Sequence, residues 1–297
     1  GDKKKYIGYI GLPVILWDNG LVLFSSAKFK HGKAVVSKGS SHYKLYHGKI
    51  YKTDEAGTIN YDNAHHAVNE KPLDLSMTKS VMTMLFTALL MFLLFVSLAR
   101  SYAKNGNVAK GIGRFFEPII LYIRDEIAIP SIGEEKHKKF VNYLLTIFFF
   151  IWFLNMLGLT PLGINVTGNI AITLGLAIFT FIITNFSGNK YYWKHIFWMP
   201  GVPVLMKIIM MPIELLGIFI KPFSLLIRLY ANMQAGHIML MTIIGLIYIF
   251  NNWIGGSMSF LLAFAISILE LFVALLQAYI FTMLSSLYIG LAVADDH

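Results

Sequence analysis

Apolar positions follow two different patterns along this chain. Over roughly the first 75 residues they come in short runs broken by Lys, Gly and His. Leu21–Phe24 and Ala34–Val36 flank His31-Gly32-Lys33, and Tyr43–Tyr46 and Ile50–Thr53 flank His47-Gly48-Lys49. Short β-favouring runs around a glycine turn predict two hairpins. From Val81 onward the runs lengthen. Val81–Ala99 holds no charged residue and can cross a hydrocarbon core of ~30 Å at ~1.5 Å per residue. Asp74 or Ser76 is placed to cap that helix. Residues 100–139 are polar, and inside them Phe115–Ile123 reads as a short amphipathic helix on the membrane surface. Phe140–Asn189 is again free of charge and long enough for two spans. Pro161, Gly163, Asn165 and Gly168 interrupt it, which predicts a tight helical hairpin.

Two longer apolar segments close the chain, residues 204–250 and 256–290, split by Asn251–Gly256. A helix of ~46 residues measures ~69 Å, over twice the hydrocarbon thickness. Such a helix has to tilt, kink or break, and Pro212 and Pro222 are the kink points. The expected fold is therefore an all-α polytopic membrane protein with five crossings. The last two form a long, steeply tilted helix hairpin. A small β-rich extension, residues 1–75, precedes the transmembrane part, residues 76–297.

Composition agrees with the pattern. Of 297 residues, 56% are hydrophobic and 14% charged, with a mean hydropathy of +0.62, whereas a soluble domain is about a quarter charged. Cysteine is absent, which excludes disulfides and thiolate metal sites. Five of the nine histidines, His31, His42, His47, His65 and His66, fall in the extension. They repeat no metal-ligand spacing and read as solvated strand and loop residues, so no metal or cofactor is expected. The chain begins at Gly1 without a methionine, as a processed end would.

The net charge of +9 reads as loops beside anionic lipid, not as a nucleic-acid face. Arg100, Lys104, Lys110, Arg114, Arg124, Lys136, Lys138 and Lys139 crowd one loop, and Lys190, Lys194 and Lys207 another. The loops at 159–168 and 251–256 have no Lys or Arg. The positive-inside rule then puts the basic loops in the cytoplasm, the N-terminus outside and the C-terminus inside. The extension is basic too, but long segments translocate largely regardless of charge.

Ionisable groups within membrane segments are costly and by default functional. The last two segments carry Glu214, Lys221, Arg228, His237 and Glu270. At 100° per residue, Glu214, Lys221, Ser224, Arg228 and Asn232 share one stripe, while His237 lies near the opposite face. Glu270 and Gln277, seven apart, share a face of the final segment. Glu214 and Lys221 also allow plainer readings: Glu214 as an ion-pair partner of Lys221 or Lys207, and Lys221 as a side chain that snorkels to the cytoplasmic surface. Arg228 cannot be deprotonated. A permanent cation at depth favours the ionised form of any carboxylate brought beside it, and it repels protons that would otherwise leak straight through.

Met211-Pro-Ile-Glu-Leu-Leu-Gly, followed by Lys221-Pro-Phe-Ser-Leu-Leu-Ile-Arg-Leu-Tyr-Ala-Asn-Met-Gln-Ala-Gly-His237, resembles the signature of the subunit a family of F-type ATP synthases. Leu275-Leu-Gln-Ala-Tyr-Ile-Phe-Thr-Met-Leu-Ser-Ser-Leu-Tyr resembles its last helix. The likeness covers about residues 75–297. The first 75 residues resemble an extension of Bacteroidetes-type versions. The resemblance implies two water-filled half-channels meeting near an essential arginine that faces the carboxylates of a rotating c-ring. Arg228 matches that arginine, and Asn232 and Gln277 match polar residues beside it. Ser224 lies on the same path. Glu214 matches an acid of the cytoplasmic half-channel. His237 and Glu270 match a coupled pair of the outer half-channel, with acid and histidine exchanged between the two helices. From the turn near 253, His237 and Glu270 lie at similar depth, roughly 25 Å along each axis.

The implied partners are the c-ring, the peripheral-stalk b subunits, protons and membrane lipid. The implied location is a bacterial inner membrane. No nucleotide-binding loop is present, so the chain is not an enzyme by itself. A self-contained secondary transporter is the alternative. It would be expected to show an internal repeat, and none relates 75–190 to 191–297.

Overall fold

In a computed structural model, the described residues are 11–294 except 19, 40, 63–64, 105–110, 112, 161–164, 199–202 and 251. They form two compact units, residues 1–82 and 83–297.

The first unit holds two three-stranded antiparallel sheets. Strands β1 (Pro13–Trp17), β2 (Leu21–Ser25) and β6 (Leu73–Asp74) make one, in the order β2-β1-β6. Strands β3 (Val36–Lys38), β4 (Ser41–Tyr46) and β5 (Lys49–Thr53) make the other. The hairpin expected around His47-Gly48 is present as β4–β5, with both residues at positive φ (46° and 74°), the geometry a two-residue turn needs to match strand twist. The hairpin expected around His31-Gly32 is not. Leu21–Ser25 pairs back onto Pro13–Trp17, Ser26–Gly32 is a 3₁₀ helix whose first turn the Ser25 hydroxyl caps, and Val36–Lys38 pairs forward onto β4.

Val14, Leu16, Phe24, Phe29, Val36, Tyr43 and Ile50 form the core of this unit. Asp18 links the sheets. Its carboxylate accepts the Tyr43 hydroxyl at 2.8 Å and the Lys52 ammonium at 2.9–3.0 Å. The Lys52 bond, with Tyr43 adding to it, holds the Asp18 carboxyl below its ordinary range.

Helix α1 (Lys79–Lys104) starts at neither expected cap. Asp74 accepts from the Ser76 amide, and the Ser76 hydroxyl accepts from Ile15 N. Thr78 caps instead, its hydroxyl accepting from Val81 N at 3.3 Å.

The second unit is helical. Helix α2 (Gly113–Tyr122) runs through a π-helical stretch (Ile123–Ala128) into α3 (Ile129–Ile132). Helix α2 is not one of the candidate spans, and it exposes Phe115, Leu121 and Tyr122. Phe116, Ile123, Ile127 and Ile132 are buried in the main core beside Leu144, Phe148, Phe149 and Ile151 of α4 (His137–Gly158). Aromatic edges tie the layer together, with Phe149 5.2 Å from Phe95 and 5.7 Å from Phe116. The π-helical turn leaves the Ile127 carbonyl free for the Ser286 hydroxyl, at 3.2 Å.

Helix α5 (Ile170–Phe186) follows, begun by an Asn169 side-chain cap on Ala171 N. Pro161 and Gly163, the expected breakers, lie outside the described residues. Nearby, Asn165 accepts from Gly168 N at 2.8 Å. Helix α6 (Lys190–Phe197) bends 102° away from α5. Helices α7 (Val204–Ile249, 46 residues) and α8 (Trp253–Val293, 41 residues) close the fold. Among the described residues four helices are long and apolar enough to cross a membrane, or up to five if the bent α5–α6 pair is one span. Helix α7 is continuous through Pro212 and Pro222, so it fits within a ~30 Å core only by tilting.

Several hydroxyls in these helices are satisfied by their own helix, as a lipid environment favours. Thr87, Thr242 and Thr282 each donate to the carbonyl one turn back at 2.8 Å. The end of α8 is capped by other elements: Ala292 O accepts from Asn189 N, and Val293 O from Asn189 Nδ2 and Lys136 Nζ. A cation there also complements the helix dipole.

Small residues bring α8 close to its neighbours. At Gly290 a Cβ would overlap the Ser131 carbonyl oxygen. Gly290→Ala should therefore cost about 1–3 kcal/mol or more by overpacking and lower the amount of subunit assembled in membranes. Gly245→Ala, where a Cβ meets open space, should leave it unchanged. Equal assembly of the two variants would contradict the close α3–α8 approach.

Candidate functional site

The helices α7 and α8 pack along each other, with α5 against α7 and α4 against α8. The side chains singled out from the sequence fall into three groups along α7.

The first group surrounds a cavity of about 220 Å³ between α7 and α8. Asn232, Met233, Gly236 and His237 line it from α7, Glu270, Ala274 and Gln277 from α8, and Leu159 closes one side. Glu270 and Gln277 are buried, at 9% and 6% exposure. The structure thus gathers four predicted residues, Asn232, His237, Glu270 and Gln277, around one space. His237 and Glu270 line the same cavity with no ion pair or hydrogen bond between them. Glu270 Oε1 is buried with no hydrogen-bond partner among the described residues. The cavity is lined by apolar side chains together with these four polar ones, and it is roomy enough for water. A buried carboxyl oxygen is costly without a partner.

Gly236 makes this arrangement possible and was not singled out from the sequence. A Cβ there would stand 2.6 Å from Glu270 Oε1 and 3.2 Å from its Cδ. The absence of a side chain on α7 leaves the space that the carboxyl of α8 fills. Asn155 supports α8 from behind, donating to Ala274 O at 3.4 Å while its Oδ1 accepts from Thr167 at 2.8 Å.

The second group lies toward the start of α7. Glu214 is half-buried and faces His195 of α6, with Nδ1 to Oε1 at 3.9 Å. Neither Lys207 nor Lys221 forms an ion pair with it. Lys207 Nζ sits over the Trp198 ring at 4.5 Å, and Lys221 Nζ over the Tyr288 ring at 5.5 Å. His195 was missed because it comes near Glu214 only through the bend between α5 and α6. Nearby, Thr180, Thr184, Asn185, Tyr192, Lys221 and Tyr288 are among the residues lining a slot of about 10 Å³, enough for one water. Thr184 Oγ1, buried without a partner, is an acceptor and donor for it.

Between the groups stand Ser224 and Arg228, both half-buried. Arg228 forms no hydrogen bond or ion pair with any described residue, and it lines neither cavity. From Glu214 to His237 the helix advances ~35 Å, and Arg228 falls inside that interval.

Residues 81–290 match the family described as the ATP synthase A chain. The chain belongs to that family. Residues 1–75 match a family described as a domain of unknown function, DUF8433. Among relatives named ATP synthase subunit a, that of Myxococcus xanthus (strain DK1622) is 46% identical over 232 residues, 76% of this chain and 75% of the relative. That of Chloroherpeton thalassium (strain ATCC 35110 / GB-78) is 41% identical over 232 residues, 75% of this chain and 69% of the relative. An ATP synthase subunit a 2 of Chlorobaculum tepidum (strain ATCC 49652 / DSM 12025 / NBRC 103806 / TLS) is 45% identical over 234 residues, 75% of this chain and 66% of the relative. The matched span of this A-chain family member includes every helix from α1 to α8 at least in part.

Replacing Gly236 by Ala should push the Glu270 carboxyl out of its position. Proton-driven ATP synthesis in membranes carrying the variant should fall severalfold while the assembled complex stays at wild-type level. Unchanged synthesis would show that the close α7–α8 approach at this point does not set the position of Glu270.

Proposed function

We propose that this chain is the stationary proton channel of a rotary ATP synthase, with the site residues acting in a fixed order along α7. Protons reach His237 and Glu270 from the outer side through the cavity they share with Asn232 and Gln277. They neutralise a carboxylate of the c-ring, ride the ring, and leave past Ser224 and Glu214 on the cytoplasmic side. Arg228 forces each returning carboxylate to ionise and keeps the two paths apart.

The observation that supports this reading is the arrangement on α7: a fixed cation without a counter-ion among the described residues, between the cavity of His237 and Glu270 on one side and the His195–Glu214 pair on the other. A half-buried cation without a partner is costly. A carboxylate delivered by a neighbouring subunit is the group it lacks. Arginine, unlike lysine, cannot relieve the cost by losing its proton.

In this reading the chain is a non-catalytic membrane subunit held by the c-ring and the peripheral-stalk b subunits. It lies in a bacterial inner membrane with the N-terminus outside and the C-terminus in the cytoplasm. Residues 1–75 form an exported extension, and residues 76–297 the channel. Loop charge supports the orientation, since the lysines and arginines crowd the loops before α4 and before α7. Nothing favours a self-contained transporter. The α4–α5 pair, of 22 and 17 residues, is no counterpart of the α7–α8 pair, of 46 and 41.

Arg228→Ala and Arg228→Lys should each abolish proton-driven ATP synthesis in membrane vesicles with the complex still assembled. Wild-type synthesis by an assembled Arg228→Ala complex would overturn the mechanism.

A further inference from the structure

The sheet β2-β1-β6 carries apolar side chains on both faces, Asp74 on the inner face apart. Its inner face, through Val14, Leu16 and Phe24, packs into the core of the extension. Strand register fixes what lies on the outer face. Trp17 stands opposite Leu21 on one side and Leu73 on the other. Ile15 stands opposite Leu23, and its carbonyl accepts from Leu75 N at 2.9 Å. Pro13 stands opposite Ser25, and its carbonyl accepts from Met77 N at 3.3 Å.

The resulting three-by-three surface has no charged residue, and Ser25 is its one polar position. Trp17, Leu21, Leu23, Leu73 and Leu75 are 50–61% exposed. An antiparallel sheet packed on one core turns polar residues to water on its other face. A contiguous apolar face of this kind marks an interaction site.

Chain connectivity says what covers it. Pairing along β1 continues to Met77, Thr78 caps, and α1 begins at Lys79. One residue separates the sheet from a helix that crosses the bilayer. The sheet is therefore held at the membrane surface, whatever the rest of the extension does. The helix it leads into exposes Met82, Leu85 and Phe86, side chains suited to lipid. Tryptophan beside leucine is the composition found at the level of lipid headgroups.

We infer that the outer face of β2-β1-β6 rests in the lipid interface and anchors the extension flat on the bilayer. The occupant is the headgroup and upper acyl region of the lipid itself. The inference uses only the membrane-spanning character of α1, so it stands or falls separately from the proton-path assignment.

The test uses the chain's lack of cysteine. Single cysteines replace Leu21, Leu23 or Leu73, with Glu55→Cys as a reference at an exposed site (90% side-chain exposure). Each carries an environment-sensitive fluorophore in the intact complex, cleared of other cysteines and reconstituted in phosphatidylcholine–phosphatidylglycerol vesicles. Labels at 21, 23 and 73 should emit at shorter wavelength than that at 55. Nitroxide on lipid near the headgroup should quench them, and aqueous iodide should spare them. Each position is read by itself, so loss of one variant leaves the others. Iodide quenching as strong as at 55 would overturn the inference in favour of a solvent-facing sheet. Shielding from both quenchers, with cross-linking to another subunit, would overturn it in favour of a protein-covered face.

Discussion

A guanidinium in a low-dielectric environment keeps its charge, because arginine does not deprotonate in proteins. Everything around Arg228 has to accommodate that cation. It is carried at the middle of α7, half-buried, with no ion pair to a carboxylate among the described residues. A charge of this kind inside a bilayer is tolerated where water or a partner reaches it. The two polar regions flanking it on α7, and the counter-charge expected from a neighbouring subunit, follow from the same constraint. So does the length of α7. A helix that carries a central cation and separate polar sites ~35 Å apart exceeds one upright crossing.

Packing sets the positions of the groups on either side. Small residues of α8 let it approach α3, α4 and α7 closely, and Gly236 of α7 gives the Glu270 carboxyl its space. Asn155 and Thr167 hold α8 from the far side. At the other end, Asn189 and Lys136 fasten the last carbonyls of α8. Asn189 is also where α6 departs from α5, so the turn that anchors α8 also brings His195 toward Glu214. The aromatic layer of Phe95, Phe116, Phe149 and Trp152 makes a rigid wall behind these helices.

Much of this was legible in the sequence because a lipid solvent leaves few options. It demands long charge-free runs, so α1, α4, α7 and α8 announce themselves. It makes intramembrane charges rare, so Glu214, Arg228, His237 and Glu270 stand out individually. What stayed hidden depends on where distant chain segments meet. Glu214 comes within reach of His195 because of a 102° bend that no local pattern encodes. Gly236 reads as one more small residue until α8 places a carboxyl against it. In the extension, β2 has two possible neighbours of similar composition, and the Ser25 cap on a 3₁₀ turn decides for β1. Phe115–Ile123 is amphipathic, and part of its apolar face meets protein, where Phe116 and Ile123 join the main core.

The central claim is that Arg228 divides two paths open to opposite sides of the membrane. Thiol accessibility on oriented vesicles reads this directly, since the chain has no cysteine to interfere. Cysteines placed at Met233, in the cavity of His237 and Glu270, and at Leu215, beside Glu214, are treated with a small impermeant reagent from one side at a time. The account predicts that position 233 reacts only from the outer side and position 215 only from the cytoplasmic side. Reaction of both positions from the same side would contradict it.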